Sequence, residues 1–212
     1  MIASLHPPKG RLAVLGVLLG LVVSLGAAVP AGAALSPAAE HPALFRNGTW
    51  YLRPALSTGP STSFRFGLPG DLPVMGDWNG DGIDTPGVFR NGVWYQRDAN
   101  STGPSRSFGF GLPGDRPMVG DWNGDGIDTP GVYRGNQWYI RNANSTGPSG
   151  FTFFGVAGDL PVPGDWDHDG DDTPGVYRNG LWVYRNEISA SLLHTFGFGL
   201  PGDRPAVWGT SL

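Results

Sequence analysis

Four pairs of an aromatic residue and an arginine, Phe45-Arg46, Phe89-Arg90, Tyr133-Arg134 and Tyr177-Arg178, follow one another at a spacing of 44 residues. Trp50, Trp94, Trp138 and Trp182 keep the same spacing, as do Asp77, Asp121 and Asp165. A repeat of this length that is rich in glycine, proline and aromatics and lacks helical periodicity points to one four-stranded sheet per unit. In the second unit, Arg116 to Trp122 reads as a strand entering a loop and Thr129 to Arg134 as the strand leaving it. A tight turn at Gly135-Asn136 leads to a third strand over 137–141, and after a polar connection a fourth runs from about Phe151 to Val156. Hairpin-linked strands make antiparallel sheets, and sheets repeated about an axis make a propeller. The expected fold is therefore all-β, a β-propeller of four-stranded antiparallel blades, with Leu-Pro-Gly-Asp at 112–115 and 200–203 as links between blades.

The repeat region opens at Ala43 without the first strand of a unit and ends at Arg204 to Trp208 with only that strand. Joining them predicts four blades, one closed by strands from both ends of the chain. An open array of hairpins, or a fragment completed by a partner, is the competing picture.

Between the first two strands of three units lies an acidic loop: Asp77 to Asp84, Asp121 to Asp128 and Asp165 to Asp172. Oxygen-bearing side chains occupy its first, third, fifth and eighth positions: Asp77, Asn79, Asp81 and Asp84; Asp121, Asn123, Asp125 and Asp128; Asp165, Asp167, Asp169 and Asp172. Alternate side chains of a tightly coiled loop converge on one point, and the glycine at position six permits the coil. Carboxylates gathered without a cation repel one another, whereas a hard divalent ion converts that repulsion into a staple. The loops are read as about three calcium sites. Asn-Gly and Asp-Gly also form plain hairpin turns, which accounts for the glycines but not for the alternating acids. Magnesium fits less well, because it usually keeps several waters.

Residues 1–33 read as a secretory signal: Lys9 and Arg11 precede an uncharged, leucine- and valine-rich stretch, and Ala31-Gly32-Ala33 fits the cleavage pattern. The apolar run is also long enough for an uncleaved membrane anchor. A short linker over 34–42 then leads to the repeats over 43–212, placed outside the cytoplasm, with no membrane span once the signal is removed. The chain has no cysteine, so its cross-links cannot be disulfides. Beyond the signal, twelve arginines and no lysine face eighteen acids, and eleven of the aspartates sit in the three loops. No basic face of the kind that binds nucleic acid is evident.

Gly76-Asp77-Trp78-Asn79-Gly80-Asp81-Gly82 followed by Pro86-Gly87-Val88-Phe89-Arg90 resembles the FG-GAP and VCBS-type repeats, and the similarity spans about Ala43 to Trp208. The resemblance implies a β-propeller, calcium in the loop between the first two strands of a blade, and a role in adhesion or extracellular ligand binding. It supports Asp77, Asn79 and Asp81, then Asp121, Asn123 and Asp125, then Asp165, Asp167 and Asp169 as ligands. The backbone carbonyls of Ile83, Ile127 and Asp171 are the position-seven donors. The family places its last carboxylate at position nine, whereas Asp84, Asp128 and Asp172 stand at position eight, which makes them ligands only if the shorter loop closes differently.

Trp50, Trp94, Trp138 and Trp182 are expected to fill the space between sheets rather than stack on sugars. Trp78, Trp122 and Trp166 flank the loops, where they can shield a metal from water. Arg46, Arg90, Arg134 and Arg178 either ring an anion site or pair with a carboxylate or an aromatic face. The Asn47, Asn100 and Asn144 acceptor patterns are read as turns. A reactive site is normally built once, yet the chain has no cysteine nucleophile and no HExxH or G-x-S-x-G segment. His168 beside Asp171 and Asp172 is read as part of a degenerate loop. These features predict a secreted, non-catalytic binding module for a glycan, cell-wall polymer or protein. A spacer without a ligand and a carbohydrate hydrolase are the alternatives.

Overall fold

The computed structural model describes residues 42–53 and 60–205. The expected signal over 1–33, residues 34–41 of the linker and the closing strand around Trp208 lie outside the described residues.

Fifteen strands form four antiparallel sheets, and no helix occurs among the described residues. The first sheet holds β1 (Ala43–Arg46), β2 (Thr49–Leu52) and β3 (Thr62–Arg65). The second holds β4 (Leu72–Gly76), β5 (Thr85–Arg90), β6 (Val93–Gln96) and β7 (Arg106–Gly109). The third holds β8 (Arg116–Gly120), β9 (Thr129–Arg134), β10 (Gln137–Ile140) and β11 (Gly150–Phe153). The fourth holds β12 (Leu160–Pro161), β13 (Gly175–Arg178), β14 (Leu181–Tyr184) and β15 (His194–Gly197). Each is a meander in chain order, as hairpin connections require.

Asn-Gly sets the hairpin between the second and third strands of the second and fourth sheets and the β1–β2 hairpin of the first, while Gly135-Asn136 serves in the third. Asn91 and Gly92 take φ of 49° and 86°, the left-handed pair of a two-residue turn, and a Cβ on Gly92 would stand 2.7 Å from the Gly111 carbonyl oxygen. β8 ends at Gly120, before the expected Trp122, because the Asp121 carboxylate already caps the loop by accepting the Asp125 and Gly126 N–H groups. β12 is short because Pro163 lacks a ladder donor, and only an isolated Gly164–Thr173 bridge continues it.

Within a sheet, the repeat tryptophan sits on the third strand beside the aromatic of the second. Phe89 pairs with Trp94 at 5.5 Å between ring centroids, Tyr133 with Trp138 at 5.6 Å and Tyr177 with Trp182 at 5.4 Å, all edge-on. Each buried indole donates to a carbonyl sixteen residues on, as Trp94 Nε1 does to Phe110 O at 3.0 Å. The expectation of core tryptophans thus agrees with the structure.

Between sheets, one valine per repeat provides the lock. Val88 belongs to the aromatic cluster of the first sheet, Val132 to that of the second and Val176 to that of the third. A second lock is an arginine from each later sheet laid over a phenylalanine of the one before: Arg97 on Phe66 at 4.3 Å, Arg141 on Phe110 at 4.2 Å and Arg185 on Phe154 at 4.8 Å. The sheets therefore stack face to face in chain order. The stack has two bare ends: Phe198 is 72% exposed where its equivalents Phe66, Phe110 and Phe154 are 6–8% exposed, and Leu44 of the first sheet is 62% exposed.

Candidate metal centre

Each acidic loop bulges from the turn between the first two strands of a four-stranded sheet and is pinned at its base by tryptophan. Trp78 Nε1 donates to Thr85 O and Trp122 Nε1 to Thr129 O, both at 3.0 Å, while Trp166 Nε1 reaches Thr173 O at 3.3 Å. The Trp78 ring lies so close to Gly76 and Gly87 that a Cβ on either would come within 2.9 Å of it. Trp78 and Trp122 are buried beneath the loop, where their first task is to fix its mouth.

The first and second loops are knitted by their own polar groups. The Asp77 carboxylate accepts the N–H groups of Gly80, Asp81 and Gly82 at 2.8, 3.1 and 2.7 Å. Asn79 Nδ2 donates to the Asp81 carboxylate at 3.0 Å, and Asn123 repeats this toward Asp125. The third loop lacks that amide, since Asp167 replaces the asparagine. Its three alternate carboxylates, Asp165, Asp167 and Asp169, bring ligand oxygens within 4.8 Å of one another. Calcium–oxygen distances of about 2.3–2.6 Å allow oxygens of one coordination sphere to stand roughly 5 Å apart, so this set fits a single ion.

Electrostatics in the third loop are unfavourable without a cation. Burial, with the charges of Asp169 and Asp165 added, raises the Asp167 carboxyl. Burial followed by Asp169, Asp167 and Asp165 pushes Asp171 up to about 7. The Asp171 Oδ1 atom is buried without a hydrogen-bond partner, an orphaned acceptor beside the acidic set. His168 stands at the place of Gly80 and Gly124 with φ of 61°, on the exposed side of the loop.

The position-eight aspartates do something the sequence did not reveal. Asp128 Oδ2 accepts the Asp77 N–H at 2.8 Å, and Asp128 N–H donates to Asp77 O at 2.8 Å. Asp172 makes the same reciprocal pair with Asp121, at 2.9 and 2.7 Å. Both carboxylates are thus directed to the first residue of the preceding loop. Burial pushes Asp128 up to about 7, opposed by the Asp77 N–H and reinforced by Asp84, Asp172 and Asp121. Asp84 is exposed, and its carbonyl accepts Asn100 Nδ2 at 3.0 Å. Ile83 and Ile127 donate their N–H groups to Asp81 and Asp125 Oδ1, both at 2.9 Å. The structure gathers the position-one, -three and -five carboxylates in the third loop and places Asp128 and Asp172 at seams between loops.

Several repeated polar residues escaped the sequence reading. Asp71, Asp115 and Asp159 are buried and form two-pronged pairs with Arg90, Arg134 and Arg178 at 2.6 and 2.7 Å. Of the expectations for those arginines, carboxylate pairing is observed at Arg90, Arg134 and Arg178, and Arg90 and Arg134 also lie over the Tyr95 and Tyr139 rings at 4.7 and 4.9 Å. Asn144 ties two loops together by donating to Trp78 O and Asp128 O, while Gln96 donates to its Oδ1. The signal for the aspartates and for Asn144 was present as a 44-residue period in Asp71, Asp115, Asp159 and Asp203, and in Asn100 and Asn144.

Fold and site together define an all-β protein of stacked antiparallel sheets that carries acidic loops along one side of the stack. No family model, curated protein or solved structure matches the chain.

Proposed function

We propose that this protein is an exported, non-catalytic, calcium-stabilised β-propeller of the FG-GAP and VCBS kind. In this reading it acts as an extracellular adhesion or ligand-binding module for a glycan, a cell-wall polymer or a protein. The observation that carries the calcium assignment is the convergence of Asp165, Asp167 and Asp169 within 4.8 Å, next to the orphaned Asp171 oxygen. Asp77, Asn79 and Asp81, and Asp121, Asn123 and Asp125, are the weaker sets, because part of their ligand capacity already serves the loop backbone.

The reading includes closure of the four sheets into a ring. Its support is register: Asp203 continues the series Asp71, Asp115, Asp159, and the arginine one repeat before Arg90 is Arg46. Among the described residues neither Asp203 nor Arg46 has an ion-pair partner. Asp203 caps the Leu200 N–H at 2.9 Å, as its equivalents cap theirs, and Arg46 lies over Tyr51 at 5.4 Å. Closure joins the pair and lays Arg53 over Phe198, as Arg97 lies over Phe66.

Thermal melting with and without EDTA tests the function. An ion that binds only the native state raises stability by mass action, so the melting temperature should rise with free calcium and fall on chelation. Asp165→Ala should remove a larger share of the gain than Asp77→Ala. A melt indifferent to chelation, with no ion found by elemental analysis, refutes the assignment.

A further inference from the structure

β4, β8 and β12 begin at Leu72, Arg116 and Leu160, Arg204 stands one repeat further on, and each of the four is followed by proline. Edge strands β4 and β8 lie against one another, and all four positions line one cavity of about 850 Å³. A cavity touched by equivalent residues of four successive repeats lies on the axis about which the repeats are arranged. Around it leucine and arginine alternate.

The charges in this cavity differ in kind. Arg178 is neutralised by Asp159, as Arg90 and Arg134 are by Asp71 and Asp115. Arg116 and Arg204 are exposed and have no carboxylate partner among the described residues. Asp203 lines the cavity too, with one oxygen taken by the Leu200 N–H. Three arginines against two aspartates leave a positive lining in a chain whose formal net charge is −4. The volume falls within the roughly 300–1,000 Å³ of small-molecule sites and far exceeds a bare inorganic anion. Leucine and proline walls suit a body with apolar faces, and a guanidinium fork matches a carboxylate.

We propose that the axial cavity binds a sugar acid, the uronate unit of an acidic polysaccharide, with Arg116 and Arg204 on its carboxylates and Leu72 and Leu160 against its ring faces. This rests on the reading of the chain as an extracellular binding module and supplies the ligand class that reading lacks.

Isothermal titration of the full calcium-loaded chain with digalacturonate, a neutral disaccharide and inorganic phosphate tests it. Digalacturonate should bind, and the neutral sugar should not. Arg116→Gln and Arg204→Gln should each weaken binding at least about tenfold, since a charge-assisted hydrogen bond contributes about 1.5–3 kcal/mol. Both arginines are exposed and unpaired, so the melting temperature without ligand should not change. Leu72→Glu, which adds a negative charge while leaving both arginines in place, should also abolish binding. No binding of digalacturonate, or equal binding in the double arginine variant, overturns the site. Equal binding of the neutral sugar or of phosphate overturns the uronate assignment. The chelation melt reports on the calcium reading whichever way the titration falls, so the two failures are distinguishable.

Discussion

Closure of the ring predicts that Arg46 and Asp203 behave as the three internal pairs do. In those pairs the aspartate side chain is 1–2% exposed and the arginine 31–40% exposed, with a shortest contact of 2.6 Å. Removing one partner of a buried pair costs about 3–5 kcal/mol, and the partial exposure of the arginine places this case at about 3. For a folded region of this size, each kcal/mol moves the melting temperature by about 2–4 °C, so Arg46→Asp and Asp203→Arg should each lower it by about 6–12 °C. The double reversal in one chain restores the attraction and should recover the part of the loss that is not due to the missing Leu200 N–H cap. Melts followed by circular dichroism, together with light scattering of the eluted species, read the outcome. If each single reversal melts at the wild-type temperature, the two ends do not meet and the closure argument is wrong. If an equimolar mixture of the two single variants recovers stability as a larger species, the same faces meet between chains instead. In such a mixed dimer both junctions regain opposite charges, whereas intrachain closure gains nothing from mixing.

Two further predictions concern the sheets themselves. Trp138 is fully buried and donates to Phe154 O at 3.1 Å, so Trp138→Ala should cost about 3–5 kcal/mol by chemical denaturation. At Asp71, burial opposes the charge, but the Arg90 pair and the Leu68 N–H outweigh it and hold the carboxyl below its ordinary value of 3.8. A group lowered in the folded state contributes stability that is whole above about pH 4 and is lost as pH falls through the lowered value, so Arg90→Gln should flatten the acid limb of the stability profile.

Much of the architecture was legible in the sequence because a repeat fixes register. Once Trp94 and Phe89 share a period with Trp138 and Tyr133, one hairpin determines the others, and strand ends follow from Asn-Gly turns and Leu-Pro-Gly-Asp links. What stayed hidden were contacts between repeats. Asp115 reads as the last residue of a turn until the structure brings Arg134, nineteen residues on, against it. Arg141 reads only as the end of a strand until Phe110 of the previous sheet is seen beneath it. Periodicity reports that a position matters in every unit, but the direction in which its side chain crosses to the neighbouring unit depends on how the sheets stack.

Asp128 shows why that distinction bears on the proposed metal sites. At position eight of its own loop it counts as a ligand, yet its carboxylate is spent on the Asp77 N–H of the loop before. Asparagine in its place keeps an oxygen acceptor for that bond and removes a charge that burial and the neighbouring aspartates disfavour. If Asp128 serves the seam, Asp128→Asn should leave the calcium-dependent gain in melting temperature intact and match or exceed wild type in EDTA. If it ligates the ion, the gain should shrink, because a hard cation loses a charged oxygen. The seam role makes neighbouring loops one mechanical unit: an ion that stiffens Asp121 to Asp128 also holds the start of the loop at Asp77. Calcium release from one loop should then loosen the adjacent one as well, which hydrogen exchange at the Asp77 and Asp121 amides can follow residue by residue.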